Sequence, residues 1–219
     1  MPVQNFANPF IISRSKIHHV IYQGYVLPVY AWHKHNIYPD KRILNSMLGR
    51  LVEAFSNSSK VLVVRFDLHV REYSENNAVL TKFNRDYSRL LKRLYPKAWC
   101  SLIWVREHGR SPRQHYHCVL LIDGQHVHHS AKIMAHTKAQ WRASTGGTLS
   151  LPANCFYLWK RGDAEMFGRI VYRISYLAKN ITKKRVNSQV KRFGRSQLTQ
   201  YLSKRPLKTL HQLLTPSVW

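Results

Sequence analysis

An α+β fold built on an antiparallel sheet, of the split βαβ kind found in ferredoxin-like and RRM-like domains, is what this 219-residue sequence predicts. The prediction rests on apolar runs of strand length bounded by turn residues, on amphipathic stretches of helical spacing between them, and on their order: strand, helix, strand, strand, helix, strand. At the centre stands Gln114-His115-Tyr116-His117-Cys118-Val119-Leu120-Leu121-Ile122-Asp123-Gly124, an apolar run headed by two histidines and closed by Asp-Gly. Alternate side chains leave a strand on the same face, so His115 and His117 stand side by side, about 6 to 7 Å apart along the strand, where two imidazoles can share one metal ion.

Residues 1–39 contain Pro2, Pro9, Pro28 and Pro39 among scattered aromatics, and read as an irregular arm that wraps the domain or touches nucleic acid. A second His-x-His pair there, His33 and His35, has no apolar strand to hold it rigid. Asp40 is placed to cap a helix through Ile43, Met47, Leu48, Leu51, Val52 and Phe55, which Ser56-Asn57-Ser58-Ser59 ends. Residues 61–70 make the first strand of the sheet. Residues 81–94 make a helix with Phe83, Tyr87, Leu90, Leu91 and Leu94 on one side and basic residues on the other, stopped by Pro96. Residues 99–107 form the second strand, which Gly109-Arg110-Ser111-Pro112 turns back onto the histidine strand as a hairpin. A helix over 130–143, a Gly146-Gly147 loop and a fourth strand over 155–159 follow, and Asp163 opens a last helix through Phe167, Ile170, Val171, Tyr172, Tyr176 and Leu177. The usual pairing of this order places the first and third strands in the middle, with both main helices on one face. The histidine strand is then central, and its other face is left for a site across which the last helix packs. The chain thus divides into an arm and leading helix (1–59), a core (60–180) and a basic extension (181–219).

Charge narrows the function. With 35 Lys plus Arg against 10 Asp plus Glu, the formal charge of +25 makes a compact fold repel itself unless a polyanion is its usual company. Nucleic acid fits, because cations track phosphates while Tyr, Trp and Phe stack on bases. A membrane-surface protein would concentrate its charge on one amphipathic helix or terminus, whereas here it is spread along the whole chain. There is no apolar run of membrane-spanning length and no basic-then-apolar leader. Three cysteines, Cys100, Cys118 and Cys155, without a Cys-x-x-Cys pair, argue against a structural zinc site or disulfide framework and fit a reducing cytoplasm.

His115-Tyr116-His117 at the head of a strand, followed by Tyr176-Leu177-Ala178-Lys179 on a helix, resembles the HUH endonuclease superfamily, whose members nick single-stranded DNA by attaching the cut end to a tyrosine. Within it, residues 60–200 are most similar to replication initiators of the inovirus type, the family also called the YagK/YfjJ C-terminal domain. The resemblance implies Glu107, eight residues before His115, as a third ligand for Mg²⁺ or Mn²⁺, with His108 and Asp67 as alternatives and Asp67 also able to orient a histidine from behind. It implies Tyr176 as nucleophile with Lys179 beside the scissile phosphate. Tyr172, a turn earlier and without a matching lysine, is either a second nucleophile or a packing residue. The products would be a 5′-phosphotyrosine and a 3′-hydroxyl that primes rolling-circle replication of a phage or mobile element. The substrate would be single-stranded DNA at an origin hairpin in a bacterial cytoplasm. Helicase and polymerase would come from the host, since no phosphate-cradling Gly-x-x-x-x-Gly-Lys motif is present. Lys183, Lys184, Arg185, Lys191, Arg192 and Arg195 are placed to track the DNA backbone, with Phe193 as a stacking group. Two other functions suit the same residues. One is a single-tyrosine transposase or relaxase of the superfamily. The other is a non-catalytic nucleic-acid-binding module, which would display aromatic residues rather than histidines on its central strands.

Overall fold

Alternation organises the sheet. A computed structural model describes residues 16–107, 114–180, 190–197 and 206–216. In it, β3 (Lys60–His69), β4 (Cys100–Glu107) and β5 (His115–Asp123) turn their even-numbered residues to one face. There Leu62, Val64, Phe66, Leu68, Cys100, Leu102, Trp104, Tyr116, Cys118, Leu120 and Ile122 form a core with α2 (Ala78–Leu94) and α3 (Ser130–Thr145). The helices supply Leu80, Phe83, Tyr87, Leu91, Ile133, Met134 and Trp141, so both lie on the even face, as the strand and helix order predicts. Asp67, His69, Glu107, His115 and His117 are odd-numbered and belong to the opposite face.

β5 runs antiparallel between β3 and β4. The register sets Asp67 opposite His117 and His69 opposite His115 on one side, and Glu107 opposite His115 on the other. The full order is β6-β3-β5-β4-β8, with β6 (Thr148–Ser150) and β8 (Phe193–Gln197) at the ends and β7 (Phe156–Lys160) also pairing with β3. The protein is therefore a mixed α+β structure with antiparallel sheets and five α-helices among the described residues.

The chain divides into two units. One comprises residues 61–158 and 182–203 and carries the sheet; the other comprises residues 1–60, 159–181 and 204–219. In the second, β1 (Ile17–Tyr22) and β2 (Tyr25–Tyr30) form a hairpin where the sequence had suggested an irregular arm. Gln23 and Gly24, both at positive φ (49° and 81°), make its two-residue turn, and Tyr25, Leu27 and Val29 bury one side of β2. Pro28 in the middle of β2 masks that alternation, yet a two-stranded ribbon tolerates it. α1 (Lys41–Asn57) starts as predicted, with the Asp40 carboxylate accepting from the backbone N–H groups of Arg42 and Ile43 at 2.9 and 3.2 Å. α4 (Ala164–Ser175) is capped by Asp163 but stops one residue before Tyr176, and Tyr176–Ala178 continue as a 3₁₀ turn. β6, β8 and the short α5 (Leu210–Leu214) are additions that short length conceals in the sequence. No helix of the described residues is long and apolar enough to cross a membrane.

Candidate metal centre

Where β5 begins and the antiparallel β3 and β4 end, the odd face gathers a row of ionisable side chains. Glu107, His115 and His117 each offer a ligand atom within 4.8 Å of the others, a group that could hold a metal ion. The two imidazoles that share the β5 face have ring centroids 4.9 Å apart at an 82° interplanar angle. Glu107, directly opposite His115 on β4, places Oε2 3.7 Å from His115 Nε2 and in hydrogen-bond contact with His117 Nε2. It is 5% exposed, and a carboxylate that deep is costly unless a cation or strong donors face it. One carboxylate oxygen and two imidazole nitrogens converge in this way, a donor set that a metal ion could share.

The supporting shell is equally specific. Asp67 sits across from His117 and accepts from its Nδ1 at 2.6 Å, which fixes the ring and leaves Nε2 as the nitrogen turned towards Glu107 and His115. Arg65 lies 3.6 Å behind Asp67. Burial on its own would lower the His117 pKa, but the hydrogen bonds to Asp67 and Glu107 outweigh it and the pKa is raised above 6.5. Burial likewise acts to raise Asp67, yet its bond to His117 prevails and its carboxyl is held below the ordinary carboxylate value. Asp67 thus orients His117, while Glu107 completes the group that could hold a metal ion.

His69 joins the row unforeseen. Its ring is 5.5 Å from that of His115, and its Nε2 lies 3.0 Å from Ser150 Oγ on β6. Burial and the neighbouring His115 lower its pKa. The signal was present in the sequence, since Asp67 and His69 share the parity that aligns them with His117 and His115, but only the register of β3 on β5 makes them neighbours. His108, the other alternative ligand, lies outside the described residues. His33 is engaged otherwise, through Ile17 O at 2.8 Å and the Tyr38 hydroxyl at 3.3 Å.

In the other unit, Tyr172, Tyr176 and Lys179 form a group of their own. Lys179 Nζ donates to Tyr176 Oη at 2.9 Å and lies 4.2 Å from the centre of that ring. The Tyr30 ring is set edgewise to both tyrosines, 5.0 Å from Tyr176 and 6.3 Å from Tyr172. Burial first, and then Tyr30, push the Tyr172 phenol up to about 12.

Of the basic stretch, Lys183, Lys184 and Arg185 lie outside the described residues. The others approach or form β8 on the edge of the sheet. The Lys191 carbonyl accepts from Asn77 Nδ2 at 2.8 Å, that of Arg192 from the Arg106 N–H at 2.7 Å, and Phe193 pairs with Val105 and Arg195 with Ile103. Gly194 is required there, because a Cβ would meet the Trp104 ring at 2.6 Å.

No curated protein and no solved structure matches the chain. The sequence does match the family of the YagK/YfjJ C-terminal domain over residues 28–196, a stretch that begins earlier than the motifs suggest and takes in α1 as well as the metal strands. With well over half of its length matched, the chain belongs to the YagK/YfjJ C-terminal domain family.

Proposed function

We propose that the protein is a metal-dependent HUH-type endonuclease that nicks and rejoins single-stranded DNA through a 5′-phosphotyrosine and so initiates rolling-circle replication of a phage or mobile element. The observation that carries this reading is the convergence of Glu107, His115 and His117 on one face, with His117 held by Asp67. The antiparallel strand order around β3, β5 and β4, with β6 or β7 beyond β3, supports the same reading, since a split βαβ scaffold would pair its strands in that order. So does the charge of +25.

Glu107, His115 and His117 would hold a divalent cation, which would supply Lewis-acid stabilisation of the charge on the scissile phosphate. Tyr176 Oη attacks in line: the Oη–P bond forms, the P–O3′ bond breaks, and the electron pair leaves with O3′, which takes up a proton. The phenolic proton passes to a base in solution. Lys179, already against Tyr176 Oη, stabilises the negative charge that develops there. The phosphodiester energy is kept in the tyrosyl ester, so rejoining needs no nucleotide cofactor. Tyr172, set edgewise to the Tyr30 ring, is assigned to packing and not to the first cut.

Incubation with origin-like single-stranded oligonucleotides and Mn²⁺, followed by denaturing electrophoresis, tests the proposal. A covalent adduct is expected for the parent protein and for Tyr172→Phe, and none for Tyr176→Phe. His117→Ala should lower adduct formation at least about 100-fold through loss of a ligand. An undiminished adduct in Tyr176→Phe would remove that residue as nucleophile.

A further inference from the structure

We infer that a cleft beside the end of β3 is a subsite for one nucleotide of single-stranded DNA, its base stacked on Tyr73 and its phosphate set against Arg71 and Lys82. The choice of ligand rests on the nuclease reading. The cleft has a volume of about 780 Å³, within the range of ligand sites, and all its lining residues belong to the unit that carries the sheet. Val70 and Val79 give it apolar surface; Arg71, Lys82 and Arg85 line it against one acid, Glu72. Tyr73 leaves 53% of its surface exposed, enough for a base to stack on its ring. An exposed aromatic ringed by cations is the arrangement that captures a base and its phosphate together. A phosphate alone would need no aromatic surface.

The loop bearing these residues is anchored to the metal strands. Arg106, 3% exposed, donates from its guanidinium to Ser74 O, to Asn77 Oδ1 at 3.3 Å and to Gln114 Oε1 at 3.2 Å, and lies 5.9 Å from the centre of the Tyr73 ring. Gln114 also accepts from the Ser74 N–H at 3.1 Å through its side chain and from the Val70 N–H at 3.3 Å through its carbonyl. Arg71 follows His69 by two residues, about 7 Å of extended chain, and His69 is the register partner of His115.

Fluorescence anisotropy of a labelled oligothymidylate of roughly 15 nucleotides, in EDTA so that the metal centre plays no part, tests the cleft. Tyr73→Ala should weaken binding about 5- to 150-fold, whereas Tyr73→Phe, which keeps the ring, should stay within about twofold of the parent. The double substitution Arg71→Ala and Lys82→Ala should lower the slope of log affinity against log salt by roughly 1.4, from two phosphate contacts at about 0.7 each. Native affinity in Tyr73→Ala overturns the subsite, as does equal competition by polyglutamate, which would mark a mere anion patch. The adduct assay on the same proteins separates the two claims. Binding that depends on Tyr73 without any adduct from the parent supports the cleft and sinks the nuclease; an adduct from the parent with cleft variants of native affinity sinks the cleft alone.

Discussion

His117 is the residue on which the candidate centre turns, because both of its ring nitrogens face carboxylates, Asp67 at Nδ1 and Glu107 at Nε2. Without metal that arrangement favours the imidazolium; with metal, Nε2 must give up its proton. Two outcomes follow at this scale. Asp67→Ala should weaken Mn²⁺ binding by about 10- to 100-fold in titration calorimetry, since an unoriented imidazole must be ordered on binding. In chelator, the two histidines whose pKa values shift in opposite directions should act in different pH windows. The His117 pKa is raised above 6.5, so its contribution to stability is complete below pH 6.5 and is lost as pH rises through the elevated value. The His69 pKa is lowered below 6.5, so its neutral form supports the fold above pH 6.5 and that support is lost as pH falls through the depressed value. Thermal melts against pH should lose the alkaline fall in His117→Gln and the acid fall in His69→Gln; a profile unchanged by either substitution would contradict the assignment.

Among the elements, three-residue β6 matters more than its length suggests. It pairs Ser150 with Asp67 and Thr148 with His69, and so braces the side of β3 away from β5. Its approach depends on Gly147, where a Cβ would lie 2.2 Å from the His69 carbonyl oxygen and 2.5 Å from Trp141 Nε1, the very pair joined by a 3.1 Å hydrogen bond. Gly147→Ala should therefore cost about 1–3 kcal/mol through forced displacement. At about 2–4 °C per kcal/mol for a chain of this size, the melting temperature should drop by roughly 2–12 °C, with weakened metal binding alongside. On the helix side of the sheet, Gln114→Leu deprives the buried Arg106 guanidinium and the Tyr116 hydroxyl of a shared partner, Gln114 Nε2 donating to Tyr116 Oη at 2.7 Å. The expected loss is about 1–3 kcal/mol by denaturant titration.

For the whole molecule the governing quantity is the +25 charge. Salt relieves self-repulsion while it weakens attraction to phosphates, so the two effects should run in opposite directions. Raising sodium chloride from about 20 to about 500 mM, which shortens the screening length severalfold, should raise the melting temperature and at the same time reduce affinity for single-stranded DNA steeply. A melting temperature that falls with salt would mean that attraction between the cations and the ten acidic residues outweighs the repulsion among the excess cations.

The sequence by itself determined the elements with strong periodicity. The capped α1, the amphipathic α2 and the β4–β5 pair all stand where their patterns put them, because burial on one face imposes a period that survives any tertiary context. It also determined that His115 and His117 share a face. Short elements were illegible: the β1–β2 hairpin hid behind Pro28, and β8 behind its length of five residues, because strands that small draw their stability from partners and not from their own pattern. What only the tertiary structure decided is who faces whom. Glu107, Asp67 and His69 come from two other strands, and a shift of one residue in either register would turn them to the opposite face, so their meeting with the histidine pair is a property of strand pairing that no single stretch of sequence contains.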